Sequence, residues 1–313
     1  MNNPLVSVII PAKNAQKRIR ACVDSVLNLA YQPYEVIVVN DGSTDETLRI
    51  LSEYPKIRVL NTAGLGSSRA RNIAVQEAAG ELIAFTDADC RVAPDWLTEL
   101  LKGFSDALVA GVGGRQESPA DESGFGRVVQ DFLQLAGFIS GYMQSGRQIQ
   151  ETQHNPSCNV MYRKSVLLEM GGFLAGLWPG EDVELDYRIK KKGYSLRFNP
   201  GALVFHYRPD NLKDFSRMMA RYGWAQGELV KKYGIFRKAH FIPLLTLLLI
   251  LLLWVNPTAG LWALALLIIA LFIRSRLGCR RPFLILGLVL VALARWNLGF
   301  LAGLIRRQTL NTR

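Results

Sequence analysis

Asp87 and Asp89, in Asp87-Ala88-Asp89, are the side chains of this sequence whose types and spacing most directly suggest chemistry. They follow Glu81-Leu82-Ile83-Ala84-Phe85-Thr86, a run that reads as a buried strand, so both carboxylates are expected on one side of a sheet. Unpaired, they would repel each other and resist burial as ions. A divalent cation, Mg²⁺ or Mn²⁺, removes the conflict by taking one or two carboxylates together with substrate phosphate oxygens. Solvated loop residues or helix caps are the plainer alternative. Two further acids stand at comparable places: Asp41 in Asn40-Asp41-Gly42-Ser43-Thr44-Asp45, and Asp182 beside Glu181 after Trp178-Pro179-Gly180.

The elements that must position these acids alternate along the chain. Leu5 to Ile10 is an apolar run stopped by Pro11, Ala15 to Leu29 has helical periodicity, and Glu35 to Val39 is a second apolar run. Asp45 and its neighbours supply a turn and cap for a helix starting near Glu46. Ile57 to Leu60 reads as a third strand, and Ser68 to Ala79 as a helix closed by Gly80. Such alternation predicts an α/β domain with a mostly parallel sheet covered on both faces, its ligands bound beyond the carboxyl ends of the strands. Further on, Val128 to Phe138 reads as helical, Asn159 to Tyr162 as a strand, Lys164 to Met170 and Glu181 to Lys192 as helices. Tyr194 to Phe198 and Ala202 to His206 read as short strands. The Gly-, Ser- and Gln-rich stretch 113–155 gives little else.

Charge divides the chain. The formal net charge is +11, yet residues 211–313 hold 15 Lys/Arg against 2 Asp/Glu, while residues 1–210 are slightly acidic. The basic third is also the most apolar, which points to a membrane and away from nucleic acid. Asn211 to Lys238 interleaves aromatics, Met and Leu with Lys and Arg, as a helix lying on a membrane surface would. Phe241 to Val255 and Ala259 to Ile273 are uncharged and read as spans. Phe283 to Ile305 is either a third span or a re-entrant hairpin, because Arg295-Trp296-Asn297 interrupts it. Basic clusters at Lys231, Lys232, Arg237 and Lys238, and at Arg274, Arg276, Arg280 and Arg281, put the N-terminal domain on the cytoplasmic side of a multi-pass inner-membrane protein. Arg306, Arg307 and Arg313 would stay on that side only if the third segment turned back. The expected division is therefore 1–210 catalytic, 211–240 interfacial and 241–313 membrane. The four cysteines are widely spaced with no C-x-x-C pair, so neither a zinc site nor a disulfide framework is expected. The N-terminus lacks a basic n-region and cleavage site, and no signal peptide is read.

Taken in order, Val8-Ile9-Ile10-Pro11-Ala12-Lys13-Asn14, Val38 to Asp45, Arg69-Ala70-Arg71-Asn72, Gly80-Glu81, Thr86-Asp87-Ala88-Asp89 and Gly180-Glu181-Asp182 resemble family 2 glycosyltransferases of the GT-A fold across residues 5–210. The resemblance implies a nucleotide-diphosphate sugar cradled by Pro11, Ala12, Asn14, Asp41, Arg69, Arg71 and Asp87. Asp41 would accept from the edge of a uracil, since Asn40 replaces the family's usual first acid. It implies Mg²⁺ or Mn²⁺ on Asp87 and Asp89, with His206 of Phe205-His206-Tyr207-Arg208 approaching the metal or diphosphate. Asp182 would be the base that deprotonates an acceptor hydroxyl, with Glu181 in support, in one displacement that inverts the anomeric carbon. Trp178 would stack on a sugar face or merely pack.

Processive relatives carry Gln-x-x-Arg-Trp after the base. Here the matching region reads Arg217-Met218-Met219-Ala220-Arg221-Tyr222-Gly223-Trp224, which implies transfer of a single sugar. The expected function is an inverting, metal-dependent hexosyltransferase that uses a UDP-sugar and a lipid-linked saccharide at the membrane face, within polysaccharide biosynthesis. The alternatives are a polyprenyl-phosphate sugar synthase and a non-catalytic membrane scaffold that keeps the nucleotide site.

Overall fold

A computed structural model describes residues 3–136, 148–276 and 282–305. The chain forms two compact units: Met1–Ala120 with Ile139–Tyr207, and Asp121–Phe138 with Arg208–Arg313. The strands are β1 (Val6–Ala12), β2 (Tyr34–Asp41), β3 (Arg58–Thr62), β4 (Leu82–Phe85), β5 (Cys90–Val92), β6 (Val109–Glu117), β7 (Gln150–Glu151), β8 (Val160–Arg163) and β9 (Ser195–His206). The helices are α1 (Ile19–Leu27), α2 (Thr47–Leu51), α3 (Ser67–Glu77), α4 (Trp96–Leu101), α5 (Gly124–Ala136), α6 (Lys164–Glu169), α7 (Glu181–Lys191), α8 (Leu212–Tyr233), α9 (Ile242–Val255), α10 (Pro257–Arg276) and α11 (Pro282–Ile305).

Among the described residues, nine strands build one mixed sheet in the first unit, in the order β3-β2-β1-β4-β8-β6-β9-β5, with β7 on β9. β3, β2, β1 and β4 are parallel, as the alternation of strand and helix predicts. β8 then runs antiparallel to β4 and β6, and β6 is again parallel to β9. Both faces are covered. Val6, Val8 and Ile10 of β1 face Ile19, Val23 and Val26 of α1, in the same cluster as Trp96 and Leu100 of α4. The intervening Ile9 joins Ile37 and Phe85 beneath Ala70 and Ala74 of α3 and Leu185 and Ile189 of α7. Burial on both faces explains why the strands read as unbroken apolar runs rather than alternating ones.

Two elements differ from their sequence reading. β6 opens Val109-Ala110-Gly111-Val112-Gly113-Gly114, too glycine-rich to read as a strand, because its neighbours leave no room for side chains. A Cβ on Gly111 would lie 2.5 Å from the Tyr162 ring, and one on Gly114 only 2.0 Å from the Ala202 carbonyl. β9 is one twelve-residue strand, not two. Its Asn199-Pro200-Gly201 imitates a turn, but the strand keeps its pairing with β6 across a register shift at Gly114/Arg115.

In the second unit, α5 belongs with the C-terminal helices although it falls within 1–210 of the sequence division. Its Phe132 meets Phe215 of α8 edge to face, with centroids 5.3 Å apart. α8 occupies most of the segment expected to lie on a membrane, but Phe215, Met219 and Leu229 are buried, and its glycine face is pressed onto α11. Gly223 and Gly227 of α8 meet Gly299 and Gly303 of α11. A Cβ on Gly223 would come within 2.1 Å of the Trp296 carbonyl oxygen, and one on Gly299 equally close to that of Ala220. Small residues four apart on both helices let the backbones touch, a geometry also used between helices in lipid. Gly227→Leu is expected to cost about 1–3 kcal/mol through overpacking and to speed amide exchange along α8. Unchanged exchange would show that the two helices do not depend on this contact.

Phe283 to Ile305 lies in one unbroken helix rather than a hairpin, since Arg295-Trp296-Asn297 contains no helix breaker and Asn297 bonds its own helix at the Leu293 carbonyl, 2.8 Å. Among the described residues, Lys238–Val255 and Phe283–Ile305 are long and apolar enough to cross a membrane, with mean hydropathies of 2.1 and 2.0. Nothing in α9 is buried. Arg280, Arg281, Arg306, Arg307 and Arg313 lie outside the described residues.

Candidate active site

The candidate residues of the first unit gather at the carboxyl ends of β1, β2 and β4 and at the start of α7. Pro11 and Ala12 close β1 beside Val39 and Asn40 of β2. Asn14 takes a left-handed conformation, φ 50°, and clamps the two loops together. Its Oδ1 accepts from the Thr44 amide at 2.8 Å, while its own amide donates to Ser43 Oγ at 3.0 Å.

Asp41 is turned toward its own chain. Its carboxylate accepts from Thr62 Oγ1 at 2.5 Å and from the amides of Leu65 and Gly66 at 2.6 and 2.8 Å. Burial alone would raise its pKa, but these donors outweigh it and hold the group below the usual carboxylate range. Oδ1 takes two of these donors and Oδ2 one.

The acidic pair does not sit on a strand. β4 ends at Phe85, and Asp87 to Cys90 form a turn closed by the Cys90 amide on the Asp87 carbonyl, 3.0 Å. The two side chains therefore have separate partners instead of one shared face. Asp87 Oδ1 accepts from Arg71 at 2.7 Å. Asp89, half-exposed, has its Oδ1 3.6 Å from His206 Nε2. That carboxylate–imidazole spacing suits a single ion bonded to both groups, with other positions left for phosphate and water. Asp89 and His206 thus fit a Mg²⁺ or Mn²⁺ ion, and Asp87 is the less available ligand.

Arg71, one of the two arginines read from the sequence as diphosphate ligands, is paired inside the protein. It is only 2% exposed, and its two terminal nitrogens reach Asp87 and Glu181 at 2.7 Å each. Burial would lower its pKa, but Asp87 and Glu181 raise it, so the guanidinium stays charged. It ties the turn after β4 to the first residue of α7. Arg69, two residues earlier near the α3 N-terminus, is half-buried, so it is less enclosed than Arg71. Burial pushes Glu181 up to about 7, opposed by Arg71 and helped by the nearby charge of Asp182.

Asp182 is held by two amides: Val183 N–H donates to Oδ1 at 2.8 Å and Ser157 N–H to Oδ2 at 3.1 Å. Ser157 belongs to a loop anchored on Asp186, one turn further along α7. Asp186 accepts from the Asn155 amide at 2.7 Å and from Tyr162 Oη at 2.6 Å, and His154 Nδ1 lies 2.9 Å away. The sequence reading gave His154 no role. The signal it held was the i, i+4 spacing of Asp182 and Asp186, which puts both on one helix face. Asn159 is spent inside the core on Trp96 and on the Arg115 and Ala202 carbonyls. Trp178 is 50% exposed, so it does not serve as a core residue.

A second grouping was invisible in the cysteine spacing. Cys90, Cys158 and His206 present their Sγ, Sγ and ring nitrogen within 4.8 Å of one another.

The sequence model of glycosyl transferase family 2 matches residues 7–171. The chain belongs to that family. Glycosyltransferase AglE of Haloferax volcanii is 32% identical to this glycosyltransferase over 210 residues, which cover 65% of the chain and 67% of AglE. The probable glycosyltransferase YdaM of Bacillus subtilis is 31% identical over 242 residues, and the pre-mycofactocin glycosyltransferase of Mycobacterium tuberculosis 30% over 236. The chain spans about half the length of these last two. The mannosyltransferase PcManGT from Pyrobaculum calidifontis, solved with GDP-Man and Mn²⁺, superposes with a TM-score of 0.62 at 20% identity, over 97% of this chain and 88% of that one. GalNAc-T7, solved with UDP, GalNAc and Mn²⁺, gives 0.54 at 19% identity, over 75% and 52%. These likenesses establish the GT-A fold.

Proposed function

We propose that this glycosyltransferase transfers one sugar, with inversion, from a nucleotide-diphosphate sugar to a hydroxyl of a lipid-linked saccharide at the cytoplasmic face of a membrane. The observation that carries the reading is the Arg71 bridge, which joins the Asp87–Asp89 turn to the helix start bearing Asp182. A donor diphosphate at the turn and an acceptor hydroxyl at Asp182 then belong to one site.

Within it, Asp182 takes the proton of the acceptor hydroxyl as its oxygen attacks the anomeric carbon. Its two amide donors fix the direction of the receiving oxygen. Arg69 receives the negative charge of the departing diphosphate, and Trp178 offers an exposed ring to a sugar face. Asp89 and His206 would hold Mg²⁺ or Mn²⁺, which when bound neutralises the diphosphate as it leaves. The lean to uridine rests on Asp41. A single transfer is supported by the absence of Gln-x-x-Arg-Trp after the base. The two apolar helices support a membrane anchor, and our placement of the catalytic unit in the cytoplasm, as part of a multi-pass inner-membrane protein, rests on the basic cluster Lys231, Lys232, Arg237 and Lys238 before α9.

The test is a panel of UDP-, GDP- and dTDP-sugars offered with membrane lipid extract, with metal present or chelated. One donor is expected to label a lipid-extractable product of opposite anomeric configuration, and chelation is expected to stop it. Activity that survives chelation would remove the metal from the reading. Donor consumed without any lipid product would remove the acceptor class. Asp89→Ala should reduce transfer by about 10²-fold or more, the several kcal/mol that a neutralising ion contributes, with donor affinity measured alongside.

A further inference from the structure

Cys90 and Cys158 are 1% and 4% exposed and come from distant parts of the chain. Cys90 begins β5 directly after Asp89, and Cys158 follows the loop that steadies Asp182. Cys158 Sγ lies 3.7 Å from His206 Nδ1. Two donors bonded to one tetrahedral Zn²⁺, at about 2.3 Å for sulfur and 2.0–2.1 Å for nitrogen, stand roughly 3.5–3.6 Å apart. The pair is therefore already near the spacing of shared ligands, and Cys90 completes a donor set within 4.8 Å. Gln116 Oε1, 3.2 Å from the same Nδ1, is the polar neighbour available to the fourth position. Two thiols and an imidazole select a soft ion, whereas the Asp89 carboxylate, whose Oδ1 lies 3.8 Å from Cys90 Sγ, is a hard oxygen donor.

We propose that Cys90, Cys158 and Nδ1 of His206 form a second cation site, for a thiophilic divalent ion such as Zn²⁺, whose filling withdraws His206 from the site at Asp89. A neutral imidazole has one lone pair and one N–H. When Nδ1 gives its lone pair to the soft ion, Nε2 carries the hydrogen and faces Asp89 Oδ1, 3.6 Å away. The result is a carboxylate–histidine–metal relay of the kind that orients metal-bound histidines. In that state Nε2 turns its hydrogen toward Asp89 and has no lone pair with which to ligate the Mg²⁺ or Mn²⁺ ion. Both thiols lose their protons and stay as thiolate ligands when the ion binds, so two H⁺ are released for the two charges gained.

The test uses the full chain, reduced and metal-free. Zn²⁺ is titrated in competition with a chromogenic chelator, and Co²⁺ is followed by absorbance. One tight Zn²⁺ per chain is expected, with a thiolate-to-cobalt charge-transfer band. In C90S/C158S the band should vanish and zinc affinity should fall at least 10- to 100-fold, the range for loss of metal-site partners. A wild-type chain without the band, or zinc affinity unchanged in a folded single or double serine variant, overturns the site. In a second arm, Mn²⁺ binding with UDP is read by electron paramagnetic resonance. Zn²⁺ should weaken it in the wild type but not in C90S/C158S. Equal weakening in both would place the competition at Asp89 itself and overturn the withdrawal of His206. This arm rests on the proposed metal dependence. The zinc-binding arm does not, so the two can fail separately.

Discussion

Asp182→Asn is expected to reduce kcat for sugar transfer by about 10²–10⁴-fold, the usual worth of a positioned general base, while donor affinity stays near that of the wild type. Asparagine keeps the size of the side chain and one of its two oxygens, so one of the Ser157 and Val183 amide bonds survives and the other is lost, and circular dichroism of the variant checks that the start of α7 is kept. What it cannot do is accept the acceptor's proton. The measurement is initial rate against acceptor concentration, with UDP-sugar binding followed separately by calorimetry. The outcome also separates two chemistries. A saccharide hydroxyl must be deprotonated as it attacks, whereas a polyprenyl phosphate is already ionised and needs little help. A loss of less than tenfold would therefore favour the sugar–phosphate synthase. Loss of donor binding in step with rate would show that Asp182 belongs to the nucleotide site instead.

Arg71→Met should have the largest effect on stability. Removing the guanidinium leaves Glu181 buried without its counter-charge and Asp87 without its partner, and breaking a buried pair costs about 3–5 kcal/mol. For a unit of this size the unfolding midpoint should fall by roughly 10 °C. The pH dependence has a definite sign. Burial already raises Glu181 above the ordinary glutamate value of 4.5, and loss of Arg71 raises it further. A carboxyl with a raised folded-state pKa contributes stability while both states are protonated. That contribution is lost as pH rises toward the folded-state value. Arg71→Met should thus be closer to wild type at pH 5 than at pH 8. Adding Glu181→Gln should recover part of the loss, because the uncompensated charge is gone. Thermal unfolding of the four proteins at both pH values checks this, and purely additive losses would mean the bridge is not a coupled unit.

Much of the fold could be read from the chain because buried parallel strands announce themselves. Val8-Ile9-Ile10, Val36 to Val39 and Leu82 to Phe85 are apolar without interruption and end in turn residues. β6 could not be read this way: where three glycines are needed to clear Tyr162, Asn155 and Ala202, the residue types imitate a loop. The acids of the site were legible for the same reason as the strands, since each stands where an apolar run or a helix begins or ends. Their partners were not. Arg71 looked like a phosphate ligand on a helix face, and only the folded chain brings Glu181 to it from 110 positions away. The His154–Asp186 contact and the meeting of Cys90 with Cys158 likewise join distant segments that share no spacing pattern.

The tight α8–α11 contact has a consequence for how the chain is made. About fifty residues separate the end of α8 from the start of α11, and synthesis proceeds at roughly 5–20 residues per second. For several seconds after α8 emerges, its glycine face has no α11 to meet. During that interval Gly223 and Gly227 are also the weakest helix formers in the segment. The nascent α8 should therefore remain partly unwound, and become a continuous helix only when Gly299 and Gly303 arrive to cover it.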